Sequence, residues 1–262
     1  MIRKILISTK IAAIVLALTP AIGNSQSGQQ AIEEIEVFAN SRRSEGLTSV
    51  NAAVSVLDEE ELGLILHTHY QEALSRVPGF SGNRNNGQES LMALRSPVLT
   101  GAGACGAFLI AENGIPVRSA GFCNVNEMFD THSEYAQSIE VIRGPASSFW
   151  GSNALHGLVN VRLPQPGEIG EISLEQGPRG SYRAKTAIGS DSGNFKQSLY
   201  FTGISEEGYR DDSGVDQQKA SWLYEYTLAN GIQMEGGFTY NNLNQETAGY
   251  VAGTKAYEDS NR

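Results

Sequence analysis

Four histidines, two cysteines and a set of loop arginines are the residues of this chain with chemistry to offer. His67 and His69 stand two apart in the run HTHY. Residues at that spacing do not share a helix face, and no third ligand type clusters with them. The pair therefore reads as a helix junction rather than a metal site. His132 and His156 lie in separate segments. No nucleophile, base and acid fall into a catalytic pattern, and no phosphate-cradling loop fits. The chain reads as a non-enzyme without a cofactor or resident metal. Cys105 and Cys123 enclose 17 residues. They lack CxxC spacing and a neighbouring histidine, which disfavours a metal or redox pair.

The ends and the charge narrow the class. Arg3, Lys4 and Lys10 precede and border the apolar run Ile11 to Leu18, and Pro20-Ala21-Ile22-Gly23 follows. That order predicts a secretory signal peptide over residues 1–23, cleaved after Gly23. The run is too short for a bilayer-spanning helix, which needs about 20 apolar residues. Export takes the cysteines into an oxidising compartment, where a Cys105–Cys123 disulfide would persist and stabilise by about 3 kcal/mol. The chain carries 19 basic and 29 acidic side chains, net −10. Loss of the three basic residues before Gly23 makes it more acidic still, which argues against a nucleic-acid partner. No run of 18 apolar residues follows residue 23. Helical membrane spans are excluded, but alternating barrel strands are not.

The elements that must position these residues fall into two kinds. Residues 24–49 read as a flexible leader, polar at Ser25 to Gln30, with a short extended segment Glu33 to Phe38. Val54 to Leu57 predicts a strand, Asp58 with Glu61 a helix start, and Thr68 with Gln71 a second helix start. Val77-Pro78-Gly79 ends that helix. Asn113-Gly114 predicts the tight turn of a hairpin. Residues 138–163, SIEVIRGPASSFWGSNALHGLVNVRL, read as strand, turn and strand with Arg143 at the corner. Residues 50–165 thus form an α+β unit large enough for a modest core. From residue 166 the pattern becomes two-residue alternation, as in Tyr182/Ala184/Thr186/Ile188 and Ile232/Met234/Gly236/Phe238/Tyr240. Gly/Asn/Asp turns separate the segments, and Gly208 to Gln218 reads as a loop. That alternation suits antiparallel transmembrane strands, and equally a soluble β-sandwich.

Residues 138–163 resemble the plug of TonB-dependent outer-membrane receptors, whose pattern runs roughly IEVIRGPASALYGSGALGGVINI. The stretches TSVNAAVSVLDEEELGLI to ALSRVPGFSG and FLIAENGIPV are similar to the same family. The resemblance implies an α+β plug domain followed by the start of an antiparallel transmembrane β-barrel, in the outer membrane of a Gram-negative cell. It implies TonB as the energy-coupling partner, joined by strand addition at Glu34, Ile35, Glu36, Val37 and Phe38. Phe38 and Glu36 depart from the family pattern ETVVVTA. It implies an arginine lock to barrel glutamates at Arg95 and Arg143, and outward loops bearing Arg84, Asn85, Thr100, Arg118, Phe122 and Asn124. Arginine and asparagine there suit an anionic or oxygen-rich metal chelate, and Phe122 could stack on a ring.

Barrels of this family have about 22 strands. The 95 residues from Glu168 to Arg262 supply four or five. An open barrel edge in lipid leaves unpaired backbone groups, each costing several kcal/mol. The chain is therefore expected to be an N-terminal fragment of a nutrient receptor, such as one for a ferric siderophore. The rival expectation is a soluble periplasmic binding or interaction module built from a plug; an exported enzyme on a β scaffold ranks last.

Overall fold

The computed structural model describes residues 35–84, 87–95, 108–117, 127–151, 153–249, 251, 253 and 256–258. The expected signal peptide, Glu34 and the Cys105–Cys123 pairing lie outside the described residues.

Near-continuous apolar strands build the centre of the α+β unit. Its sheet runs β3 (Val54–Asp58), β8 (Ser138–Arg143), β9 (Gly157–Arg162), β6 (Phe108–Glu112) and β7 (Ile115–Pro116). β6 and β9 are parallel, whereas β3–β8, β8–β9 and β6–β7 are antiparallel. Successive residues feed two cores: Ile110, Val141 and Val159 face one, and Leu109, Ile142 and Leu158 the other. Both faces are thus covered, which is why these strands lack a polar face. Asn113 and Gly114 turn the β6–β7 hairpin at φ 47° and 78°, the positive values a two-residue turn requires. At Gly157 an added Cβ would lie 2.3 Å from the Ile142 carbonyl oxygen, so this close pairing of β8 with β9 needs glycine.

Two short helices pack on the first core. α1 (Glu59–Ile65) begins where the Asp58 side chain accepts the Glu61 N–H at 2.8 Å, as the spacing predicts. α2 (Tyr70–Leu74) corrects the second expectation. His69, not Thr68, caps it: the His69 Nδ1 accepts the Gln71 N–H at 3.1 Å, and Glu72 reaches back to the Thr68 N–H at 3.0 Å. The β4 (Phe80–Arg84) and β5 (Ser90–Leu94) hairpin follows. α3 (Ser147–Trp150) sits in the β8–β9 connection.

The remainder is an antiparallel meander of β10 (Gly170–Gln176), β11 (Tyr182–Asp191), β12 (Phe195–Glu206), β13 (Val215–Thr227) and β14 (Gln233–Gln245). Five strands are at the upper end of the expected number. The loop expected at Gly208 to Gln218 is shorter, because residues from Val215 already pair with β12. Among the described residues β10 and β14 each pair on one side only, so the sheet is open.

Candidate functional site

The alternation along the meander has an inverted polarity. One face carries Arg183, Ser198, Thr202, Gln217, Lys219 and Ser221, all buried. The opposite face carries Ile172, Leu174, Ile188, Phe201, Trp222, Phe238 and Tyr240, all exposed. Register places Ile188, Leu199, Trp222 and Phe238 in one row across four strands. A soluble sandwich buries its apolar face; here the apolar face is outermost and the polar face is covered. That is the arrangement of a barrel wall, apolar toward lipid and polar toward the lumen.

What covers the polar face is the α+β unit, through a seam of complementary groups. Two 3-10 turns, Glu127–Asp130 and Ser133–Tyr135, present the contacts. His132 between them bonds Ser221 Oγ through Nδ1 at 2.7 Å and Thr202 Oγ1 through Nε2 at 2.8 Å. Lys219 donates to both Glu134 oxygens, at 2.9 and 3.0 Å, and to the Thr131 carbonyl at 2.8 Å. Thr239 donates to Glu112 Oε1 at 2.6 Å, and Glu112 Oε2 accepts the His132 N–H at 2.7 Å. Asn241 donates to Asp130, Gln217 to the Phe129 carbonyl, and Arg183 to the His67 carbonyl and Glu175. Lys185 lies over the Tyr135 ring at 4.2 Å. The wall thus supplies cations and hydroxyls, and the enclosed unit supplies carboxylates, carbonyls and imidazoles.

Burial sets the charge states in this seam. It lowers His132 to about 4 and His69 to about 3, so both imidazoles are neutral near pH 7. Burial pushes Glu112 up, against the hydrogen bonds it accepts. For Glu134 burial also acts upward, but the Lys219 ammonium and the nearby histidines outweigh it and hold the carboxyl at about 2. The histidines at 67 and 69 are junction residues, as expected: His67 Nε2 meets Ser133 Oγ at 3.1 Å and His69 caps α2. Sequence reading found the polar alternation of the strands but not their partners Glu112, His132 and Glu134. The polar cluster THSEY just before an apolar strand was the available signal.

The residues expected to couple to TonB, from Ile35 to Phe38, are folded onto this unit. β1 (Glu36–Val37) pairs with β2 (Glu45–Gly46), and Val37 is fully buried. The expected flexible leader is therefore docked over its described part. Phe38 and Ala39 donate their N–H groups to the two oxygens of the buried Glu140, at 3.0 and 2.8 Å. No local signal points to this contact, which joins residues 101 and 102 positions apart.

Arg95 and Arg143, expected as a lock, are brought together. Arg95, at φ 52°, donates through Nη1 to the Arg143 carbonyl at 2.7 Å. Among the described residues neither forms a salt bridge with a carboxylate. Of the expected ligand residues, Asn85, Thr100, Arg118, Phe122 and Asn124 lie outside the described residues. Arg84 ends β4 and shares its charge between Glu72 at 3.5 Å and Glu206, at the end of β12, at 3.8 Å. Among the described residues no group of three or more His, Cys, Asp or Glu could hold a metal ion.

Comparison with known proteins gives the same architecture. Residues 47–158 match the TonB-dependent Receptor Plug Domain family. The pesticin receptor of Yersinia enterocolitica is 27% identical over 191 residues, covering 72% of this chain and 27% of its own length. The vitamin B12 transporter BtuB of Photobacterium profundum is 26% identical over 187 residues, covering 69% of this chain and 29% of its own. The chain thus spans roughly a quarter of the length of these curated relatives, which are receptors and transporters rather than enzymes. Among solved structures, Pseudomonas aeruginosa FpvA bound to pyoverdine superposes with a TM-score of 0.66 at 15% identity, over 79% of this chain and 27% of that one. The ferric yersiniabactin uptake receptor FyuA of Yersinia pestis gives 0.58 at 18% identity, over 73% and 31%. With a plug that matches by sequence and a polar seam to a wall whose apolar face is outermost, residues 47–158 carry the TonB-dependent Receptor Plug Domain, and the chain resembles the plug and first barrel strands of TonB-dependent outer-membrane receptors.

Proposed function

We propose that the protein imports a scarce nutrient as a small-molecule metal chelate, such as a ferric siderophore, with TonB as its energy-coupling partner. The observation that carries this reading is the inverted meander. A plug fixed by Lys219, Ser221 and Thr202 to the polar side of a lipid-facing wall is built to occlude a lumen. The names of the relatives, a ferric yersiniabactin receptor and a structure holding a pyoverdine–iron complex, favour the chelate class. In this reading residues 1–23 are the signal, 24–49 carry the coupling segment Glu34 to Phe38, 50–165 are the plug and 166–262 the wall. Arg84, Asn85, Thr100, Arg118, Phe122 and Asn124 would face the ligand. Arg95 and Arg143 would meet carboxylates of further barrel strands, and Cys105 and Cys123 would be bonded. The test is uptake of iron-55 as ferric siderophores and of labelled cobalamin by cells carrying the gene, together with fractionation. Heat-modifiable protein in the outer membrane, with uptake lost on deleting TonB or residues 33–38, is expected. Soluble periplasmic protein would favour the rival binding module and overturn the transport reading.

A further inference from the structure

One carboxyl and one imidazole of the plug are joined by a run of hydrogen bonds that passes through the wall. Thr239 Oγ1 stands 2.6 Å from Glu112 Oε1 and 3.0 Å from Ser221 Oγ. Ser221 Oγ is 2.7 Å from His132 Nδ1, and Thr202 Oγ1 is 2.8 Å from His132 Nε2. The His132 backbone N–H closes the circuit on Glu112 Oε2 at 2.7 Å. Hydroxyls and a neutral imidazole both donate and accept, so the run has two possible directions. With Glu112 ionised, Oε1 can only accept. Thr239 then donates to it, Ser221 donates to Thr239, Nδ1–H donates to Ser221, and Thr202 donates to a bare Nε2. With a proton on Glu112 Oε1, every one of these bonds reverses. Glu112 donates to Thr239, Thr239 to Ser221, Ser221 to a bare Nδ1, and Nε2–H to Thr202. Oε2 accepts the His132 N–H in both states. All of the contacts persist; only donor and acceptor exchange.

We propose that Glu112 is a proton-binding site of the plug, and that Thr239 and Ser221 of the wall relay its charge state to the tautomer of His132. The partner of each ring nitrogen sets which one carries the proton. Net uptake is one proton, from solvent to Glu112 Oε1. His132 holds a single proton throughout, giving one up at Nδ1 and taking one at Nε2. Solvent reaches the run at Glu112, which lines a cavity of about 600 Å³ together with Thr239, Arg162 and Glu235. His132, Ser221 and Thr202 are buried. The charges around Glu112 oppose one another. Lys219 of β13 favours the carboxylate and Glu134 of the 3-10 turn the acid, while Arg162 of β9 and Glu235 of β14 bring one charge of each sign to its cavity. His132 faces the same Lys219 and Glu134, Lys185 of β11, and the edge of the Tyr135 ring at 5.3 Å. Burial raises Glu112 above its ordinary 4.5, whereas His132 gains a second proton only at about 4. As pH falls, the carboxyl therefore titrates first, beside a neutral ring.

Nitrogen-15 NMR of the full chain in detergent, labelled at histidine, tests the relay, because it reads protonation at each ring nitrogen. The His132 signals are assigned by their loss in His132→Asn or by contacts to the Tyr135 ring. Wild-type protein is expected to show Nδ1–H at pH 8 and Nε2–H at pH 5, neutral at both. In Glu112→Gln the new amide accepts the His132 N–H and donates to Thr239, as the protonated carboxyl does, so Nε2–H should be present at both pH values. Thr239→Val cuts the run and should leave a tautomer that does not change with pH. A single wild-type tautomer at pH 8 and pH 5, or an imidazolium already at pH 5, overturns the proposal without any variant having to fold. A tautomer that still follows pH in Glu112→Gln or in Thr239→Val overturns it as well.

Discussion

Replacing Lys219 by methionine should cost this protein its plug–wall seam in a pH-dependent way. The ammonium is 2% exposed and the Glu134 carboxylate 3%. Three hydrogen bonds, all between 2.8 and 3.0 Å, satisfy Lys219. Methionine keeps the volume of the stem but strands Glu134 as an uncompensated buried charge, a loss of about 3–5 kcal/mol. An independent route gives a similar size. Glu134 is held at about 2 against an ordinary 4.5, and each unit is worth about 1.4 kcal/mol, so roughly 3 kcal/mol is at stake. The sign follows from linkage. A carboxyl depressed in the folded state contributes stability above its unfolded value, and that stability is lost as pH falls from about 4.5 toward about 2. In the variant the carboxyl loses its cation, so protonation relieves the defect. Urea unfolding of the chain in detergent, followed by tryptophan fluorescence at pH 7 and pH 4, is the assay. The variant should lose at least 3 kcal/mol at pH 7 and clearly less at pH 4. The double variant with Glu134→Gln should recover most of the loss. A deficit under 1 kcal/mol at pH 7, or one that is equal at both pH values, refutes the argument.

Three further expectations follow from the same structure. His132, lowered to about 4 by burial, binds no proton at pH 5 while the unfolded chain does, so stability should fall between pH 6.5 and 4; His132→Asn should flatten part of that slope in the same unfolding assay. Phe238→Arg puts a charge on the exposed apolar face and should cost about 2–4 kcal/mol in a bilayer and little in water; recovery from outer-membrane and soluble fractions measures it, and unchanged membrane recovery would contradict the lipid-facing assignment. Gly157→Ala forces a Cβ against the Ile142 carbonyl oxygen and should cost about 1–3 kcal/mol by thermal melting; an unchanged melting temperature would contradict the close pairing of β8 with β9 at this position.

Local rules carried much of the fold because its signals are short-ranged. Asp58 three residues before Glu61, Asn113-Gly114 between apolar runs, and the alternation from Tyr182 to Tyr240 each act within a few residues, and the structure uses each as read. Where two local signals competed, tertiary context chose between them. His69 displaced Thr68 as the cap because its ring is buried against Tyr70 at 4.3 Å while Glu72 takes the Thr68 N–H. Alternation by itself could not say which face was wet. A period of two is the same for a sandwich and for a barrel, and only the burial of Lys219, Ser221 and Thr202 beneath the plug settled it.

By itself the sequence determined the plug resemblance, the α+β unit and the antiparallel strands, since those follow from motif, capping and periodicity along the chain. The tertiary structure alone decided the partners of the buried charges: Glu134 with Lys219, Glu112 with Thr239, and Glu140 with the backbone at Phe38 and Ala39. Those pairs lie 85 to 127 residues apart, and no propensity or spacing rule reaches so far. Desolvation enforces them, because a charge taken out of water must find its donors wherever the fold brings them.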